Sequence, residues 1–209
     1  MKGAICRLGF VQADPIRAPA RAQDLILRHR VSGYRAGDLE RRYPSLDIEE
    51  DYLYAYGFVS RETWRLLHPR QAVELSALEK KILETVRETG ETHPARLEKY
   101  FGSRRIINAW GGNSKATTHA LDHLHYRGLL RIARRENGIR VYAAARPHPA
   151  PPPPAERLRK RILAVVNLLA PVPEKTLQSL TAPLLRRSFP GFGGAGAVLA
   201  GMVRTGELR

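Results

Sequence analysis

A single cysteine, Cys6, is all that this 209-residue chain carries. One thiol closes no internal disulfide and supplies no cysteine-based zinc site. No stretch reaches the ~18 consecutive apolar residues of a spanning helix, and no basic amphipathic stretch presents an aromatic face to a lipid surface. Met1 to Phe10 lacks the hydrophobic region and cleavage site of a secretory signal. The chain is therefore expected in the cytoplasm, nucleoid-associated in a bacterium, with no membrane partner. Acidic side chains are the other scarcity. Twenty Asp+Glu stand against 35 Lys+Arg, a formal charge of +15. A surplus of that size favours a polyanion, since each Lys or Arg set on a phosphate releases counterions. Double-stranded DNA is the expected partner.

The surplus is uneven. Residues 1–70 hold 12 basic and 9 acidic side chains, residues 71–150 hold 14 and 8, and residues 151–209 hold 9 and 3. The later segments are the electrostatic footprint, and the first must act by something other than bulk charge. At 43% hydrophobic and 26% charged, the chain can bury ordinary cores. Only the proline stretch Pro147–Pro154 and the ends suggest disorder.

The clearest organisation is internal. Leu78, Ile82 and Val86 recur eighty positions on as Leu158, Ile162 and Val166, and Leu97 recurs as Leu177. Leu121, Leu124 and Gly128 recur at a spacing of 78 as Leu199, Met202 and Gly206. This predicts two copies of one supersecondary unit joined by a polyproline spacer. In the first copy Ser76-Ala77-Leu78-Glu79 matches a capping box. Leu78, Ile82, Leu83 and Val86 form the apolar stripe of a helix that ends at Gly90. A second helix begins at Pro94 and buries Leu97 and Phe101. A loop from Gly102 to Asn113 precedes a third helix over about 114–127. Ala116, Ala120, Leu121 and Leu124 face its core, while Lys115, Thr118, His119, Asp122 and Tyr126 face outward. Strands at 129–134 and 139–145 flank Asn137-Gly138, a strong hairpin signal.

Three helices followed by a basic hairpin is the winged-helix order, in which the third helix enters the major groove. Lys115, Thr118 and His119 are the candidate groove contacts. Arg104, Arg105, Arg131, Arg134, Arg135 and Arg140 are candidates for phosphates or the minor groove. The expected fold is α+β, mainly α, with tandem winged helix-turn-helix domains and short β-hairpin wings. The expected boundaries are a partial winged-helix-like domain at 1–72, a winged helix at 73–146, a linker at 147–155 and a second copy at 156–209. Both ends read as cut within domains. Residues 3–12 resemble the end of a helix whose start is missing, and Gly206-Glu207-Leu208-Arg209 matches the entry to a wing.

Residues 7–14 read Arg-Leu-Gly-Phe-Val-Gln-Ala-Asp, followed by a helical stretch and by His29-Arg30 before Tyr34. This context resembles the YcaQ/AlkZ-type winged-helix DNA glycosylases, over most of the chain. The Gln-x-Asp signature is that of the YcaQ-like branch, where the AlkZ-like branch has Gln-x-Gln. The resemblance implies base excision from alkylated DNA, including crosslinked nucleotides in some members. It makes Asp14 the catalytic carboxylate and Gln12 its polar neighbour orienting water. It implies a C-terminal β-barrel region that this chain does not reach; separately, a monomer is expected.

That chemistry suits the residues. Breaking an N-glycosidic bond builds positive charge on the sugar; a fixed carboxylate stabilises that charge and can take a proton from water. An alkylated purine is already cationic and leaves without a strong general acid. A monofunctional hydrolysis without metal or other cofactor is expected. Asp14-Pro15 also reads as an N-cap followed by an N1 proline, where a helix dipole would keep the carboxyl ionised; the two roles are compatible. Tyr52, Tyr54 and Tyr56 alternate as a stacking surface for an extruded base or as half-buried aromatics. His119, His123 and His125 lack a third ligand at metal-binding spacing and are read as phosphate contacts or plain helix surface. Gly111-Gly112-Asn113-Ser114-Lys115 lacks the spacing of a phosphate loop and is read as a turn. Gly191–Gly196 is read as a flexible loop. The rival function is a non-enzymatic winged-helix transcription regulator, which would normally dimerise through a helix not evident here.

Overall fold

A computed structural model describes residues 1–14, 16–70, 74–107, 111–147, 150–188 and 195–208. The order begins α1 (Lys2–Leu8), β1 (Phe10–Gln12), α2 (Ala22–Arg28), α3 (Asp38–Arg42), β2 (Ile48–Tyr52), β3 (Tyr56–Ser60) and α4 (Arg61–Leu67). It continues with α5 (Ala77–Thr89), α6 (Pro94–Phe101), β4 (Arg105–Ile107), β5 (Asn113–Lys115), α7 (Ala116–Tyr126), β6 (Leu130–Glu136) and β7 (Ile139–Ala144). Three helices follow, α8 (Pro154–Leu169), α9 (Glu174–Ser188) and α10 (Ala195–Arg204). About half the chain is helical and the sheets are small and antiparallel, an α+β fold. Two compact units emerge, one of residues 1–71 with 148–209 and one of residues 72–147.

In the first unit, residues 3–12 are not one helix. α1 stops at Gly9, which takes the left-handed φ of 72° that glycine adopts without strain, and the chain then enters β1. The sheet order is β1-β3-β2, with Gln12 opposite Gly57 and Asp51 on the other side of the same glycine. Side chains alternate between the two faces. Phe10 and Val59 join a core with Trp64 and Leu67 of α4, Leu158, Ile162 and Val165 of α8, Leu177, Leu199 and Met202. On the opposite face, the Tyr43 ring meets Phe58 edge-on at 5.6 Å. The segments expected as separate domains at 1–72 and 156–209 thus share one core. The cause is the apolar stripe of α8, which packs on α4.

β2 is unusual in burying three successive carboxylates, and each has a partner. Glu49 accepts from Arg61 at 2.8 Å, Glu50 from the Tyr56 hydroxyl at 2.6 Å, and Asp51 from Arg70 at 2.7 Å. Asp51 also lies 2.6 Å from Nε2 of His68. Buried charge of this kind is tolerated only when paired. Arg157 of α8 donates to the Leu66 carbonyl at 3.1 Å, satisfying a carbonyl at the end of α4 that the helix itself cannot. Burial holds its guanidinium below the ordinary arginine pKa.

In the second unit the capping box is present. Ser76 accepts from Glu79 N–H, and the Glu79 carboxylate accepts from Ser76 N–H. Pro94 opens α6 behind the N-cap His93. Ile82, Val86, Leu97, Leu121, Leu124, Leu130, Ile132 and Val141 form the core. β6 and β7 pair as a hairpin whose turn holds Asn137 and Gly138, both at positive φ. Backbone of Thr92, before α6, bridges to Tyr142 of β7. The third helix starts later than expected. Ser114 and Lys115 lie on β5, and the supposed loop 102–113 contains β4 and the start of β5.

The internal repeat is visible in the backbone. Gly90 N–H donates to Val86 O, and Ala170 N–H to Val166 O. Gly128 N–H donates to His125 O, and Gly206 N–H to Val203 O. These are the same bonds at spacings of 80 and 78. Of the repeated apolar pairs, Ile82/Ile162, Leu97/Leu177, Leu121/Leu199 and Leu124/Met202 are buried in both copies, Leu78 is half-buried beside a buried Leu158, and Val165, not Val166, is the fully buried valine of α8. α8 already begins at Pro154, so the proline stretch ends inside a helix. His148 and Pro149 of the expected linker lie outside the described residues, as do residues 191–194 of the glycine loop; Gly196 lies in α10.

Candidate active site and nucleic-acid interface

The Gln-x-Asp segment is built at the free edge of a sheet. Among the described residues β1 pairs only with β3, and the Gly9 carbonyl and Ala13 N–H close the ladder, to Ser60 N–H at 3.3 Å and Tyr56 O at 2.9 Å. Asp14 lies one residue past the ladder. Its N–H donates to Oε1 of Gln23 on α2 at 3.2 Å, and its Oδ1 accepts from Ile16 N–H at 2.8 Å. Gln12 and Asp14 are both half-buried.

Contrary to the sequence expectation, Asp14 does not cap a helix. α2 begins only at Ala22, behind Arg21. Prolines keep the intervening stretch from winding, since a residue before proline is pushed out of the α region. Asp14 makes the local turn bond of a capping aspartate, but α2 does not start behind it; Pro15 lies outside the described residues. Beside this segment, Arg17, Arg21, Asp24, Gly37 and Glu40 line a cavity of about 340 Å³. Asp24 anchors its wall, accepting from the Tyr34 hydroxyl at 2.7 Å and from Gly37 N–H at 2.9 Å. Burial and the Asp24 carboxylate push the Tyr34 hydroxyl pKa well up. Arg21 and Glu40 form an ion pair.

The three tyrosines separate. Tyr52 and Tyr56 face each other across the β2–β3 hairpin with centroids 4.9 Å apart. Tyr54, at the turn, packs on Phe10 at 5.1 Å, and burial raises its hydroxyl pKa.

In the second unit, α7 buries Thr117, Ala120, Leu121, Leu124 and His125. His119 and Lys115 are exposed and Thr118 is half-buried. Pairing of β4 with β5 sets Arg105 opposite Lys115, and the Arg104 carbonyl accepts from Ala116 N–H at 2.8 Å. Arg104, Arg105 and Lys115 therefore gather at the start of α7. On the hairpin, Arg135 stands opposite Arg140 and Arg131 opposite Ala143. Acids already hold several of these cations. Lys115 meets Glu98 at 2.6 Å, Arg134 meets Glu91 at 3.0 Å and Glu136 at 2.9 Å, and Arg140 meets Asp122 at 3.0 Å. Exposed pairs of this kind are worth ~1 kcal/mol or less, so a phosphate can replace the acid.

The histidines do not converge. The His119 and His123 rings lie 6.5 Å apart, His123 engages Glu79, and His125 packs against Tyr142 at 6.4 Å. Among the described residues no group of three His, Cys, Asp or Glu could hold a metal ion, and no helix is long and apolar enough to cross a membrane.

A helix-rich chain with a basic helix-and-hairpin unit, and a Gln-x-Asp held at a sheet edge, fits one class of protein. Over residues 5–209 it matches the family described as DNA glycosylase AlkZ-like, and it belongs to that family. Among solved structures it is similar to the Streptomyces sahachiroi DNA glycosylase AlkZ, with a TM-score of 0.50 and 13% sequence identity. The similarity covers 94% of this chain and 65% of that one, so the chain spans about two thirds of that relative's length. At such identity the likeness is one of fold. No curated protein matches the chain. Family membership does not favour the regulator.

Sequence reasoning missed two features of the site. Gln23 carries no hydropathy signal, and nothing in the sequence marks the acids of β2 as buried.

Proposed function

We propose that this chain is a DNA repair glycosylase of the YcaQ-like, Gln-x-Asp branch, hydrolysing the N-glycosidic bond of alkylated or crosslinked bases in duplex DNA. The observation that carries the proposal is the Asp14 carboxylate, held just beyond the β1 ladder by bonds to its own N–H and to one of its oxygens. Residues 73–146 act as a winged helix. α7 offers Thr118 and His119 to base edges, and Arg104, Arg105 and Lys115 meet phosphates at its start. Arg131, Arg134, Arg135 and Arg140 follow the adjoining backbone from the hairpin. Residues 156–208 are the second copy of that helical unit.

The target nucleotide leaves the stack, which costs least at a damaged base. As the bond to the cationic base breaks, charge grows on the sugar, and Asp14 opposes it from a fixed position. Gln12 orients a water, and Asp14 takes its proton as the water adds to the sugar carbon. The base departs neutral, and an abasic site remains. No lysine Schiff base enters the scheme, so the strand is not cut.

The test is a duplex carrying N7-methylguanine, assayed for abasic sites. Wild type should excise the base, and Asp14→Ala should lose at least a hundredfold in rate while binding the duplex as before. Equal abasic yields from the two proteins would refute the assignment. Lys115→Ala should weaken duplex binding at all sequences and reduce the salt slope by about one.

A further inference from the structure

We propose that Gln23 is a positioning residue for Asp14, acting through the main chain rather than on the substrate. This inference rests on the proposed function. Along an antiparallel edge strand, successive N–H groups point alternately to the partner strand and away from it. In β1 and its extension, the ladder bonds of Gly9 and Ala13 fall on the β3 side. Asp14 N–H therefore points outward from the sheet, where the ladder has no acceptor to offer. Gln23 supplies one from α2, and its side chain is 4% exposed, so water cannot easily stand in for it.

α2 is itself fixed at that point. The next residue, Asp24, accepts from Tyr34 and Gly37, which ties the helix to the following loop. The bond at Oδ1 from Ile16 N–H then sets the carboxylate relative to a backbone whose direction Gln23 has already fixed. Without the Gln23 acceptor, Asp14 would keep its turn bond from Ile16 N–H but lose its fixed direction beyond β1. An error of about 1 Å at a reacting carboxylate can cost on the order of a hundredfold in rate.

The experiment measures single-turnover excision of N7-methylguanine, duplex affinity, melting temperature and hydrogen exchange at the Asp14 amide. The proteins compared are wild type, Gln23→Met, Gln23→Ala and Gln23→Glu. Methionine keeps the shape and removes the acceptor, and glutamate keeps an acceptor. Both Gln23→Met and Gln23→Ala should lose at least tenfold in excision rate, with duplex affinity unchanged within about twofold. Asp14 amide exchange in these two should speed up by about tenfold. Gln23→Glu should recover most of the rate and the slow exchange. Full excision by a folded Gln23→Met or Gln23→Ala protein overturns the inference and leaves the proposed function standing. So does a glutamate variant as impaired as the methionine one, or an Asp14 amide that exchanges freely in wild type. Absence of excision by wild type overturns the proposed function itself, and the positioning role with it.

Discussion

Gly57 sits between Gln12 and Asp51 in the three-stranded sheet and has almost no room for a side chain. A Cβ built there meets the Val11 carbonyl oxygen at 2.4 Å and the Phe10 ring at 2.6 Å. The carbonyl belongs to the ladder that holds the Gln-x-Asp segment, so it cannot retreat without breaking β1 from β3. Gly57→Ala should therefore cost about 2–3 kcal/mol of stability, read as a lower urea midpoint, and should depress excision more than the unfolded fraction explains. A variant of wild-type stability would mean that β1 does not lie against Gly57. Of this neighbourhood, the sequence singles out Gln12 and Asp14 as candidates because they form a motif with a recognisable context. Gly57, Gln23 and Asp51 were not legible there, because each acts through a contact with a residue distant in the chain. The burial of Glu49, Glu50 and Asp51 makes the same point. Nothing local marks three adjacent acids for burial; the partners that permit it, Arg61, Tyr56, His68 and Arg70, come from other elements.

At the level of elements, α5 and α7 are joined by a carboxylate that also caps α5. Glu79 accepts from Ser76 N–H at 2.7 Å and engages His123 of α7. Burial alone would raise the Glu79 carboxyl, but the hydrogen bonds from His123 and Ser76 outweigh it and hold the pKa below its ordinary value of 4.5. A carboxyl lowered in the folded state adds stability that is complete above the unfolded-state value and fades as pH drops through the folded one. Glu79→Gln should thus lose about 1 kcal/mol at neutral pH. The gap to wild type should close as pH falls below 4.5, followed by the thermal midpoint of residues 72–147. A gap constant from pH 7 to pH 3 would show that the carboxylate is not linked to the fold. The cap of α5, the Pro94 start of α6 and the Asn137-Gly138 turn were all readable, because caps and turns follow from a few neighbouring residues. The start of α7 was not: β5 takes Ser114 and Lys115 by pairing with β4, and no local preference announces a three-residue ribbon.

Across the whole molecule, the repeat spaced by about eighty residues aligns most buried positions of α5–α7 with those of α8–α10, Leu78 and Val166 being the half-buried members. It could not tell which further element each copy would cover. In residues 72–147 the helices close over their own hairpin. In the other unit α8 lays Leu158, Ile162 and Val165 against Trp64 and Leu67, so two stretches separated by about eighty residues fold around one core. Periodicity reports which face of a helix is apolar and is silent about the partner of that face. Ile162→Ala, at a site 1% exposed, removes three carbons from that shared core and should cost about 2–4 kcal/mol. Because Phe10 and Val59 line the same cluster, the loss should reach β1 and β3 as well as α8. Hydrogen exchange should quicken at Val11 and Val59, far from the substitution in sequence, while the amides of Ile82, Leu124 and Val141 keep the rates of wild type. Were exchange to rise only within residues 154–208, the core would be two cores, and the Gln-x-Asp strand would owe nothing to the second copy.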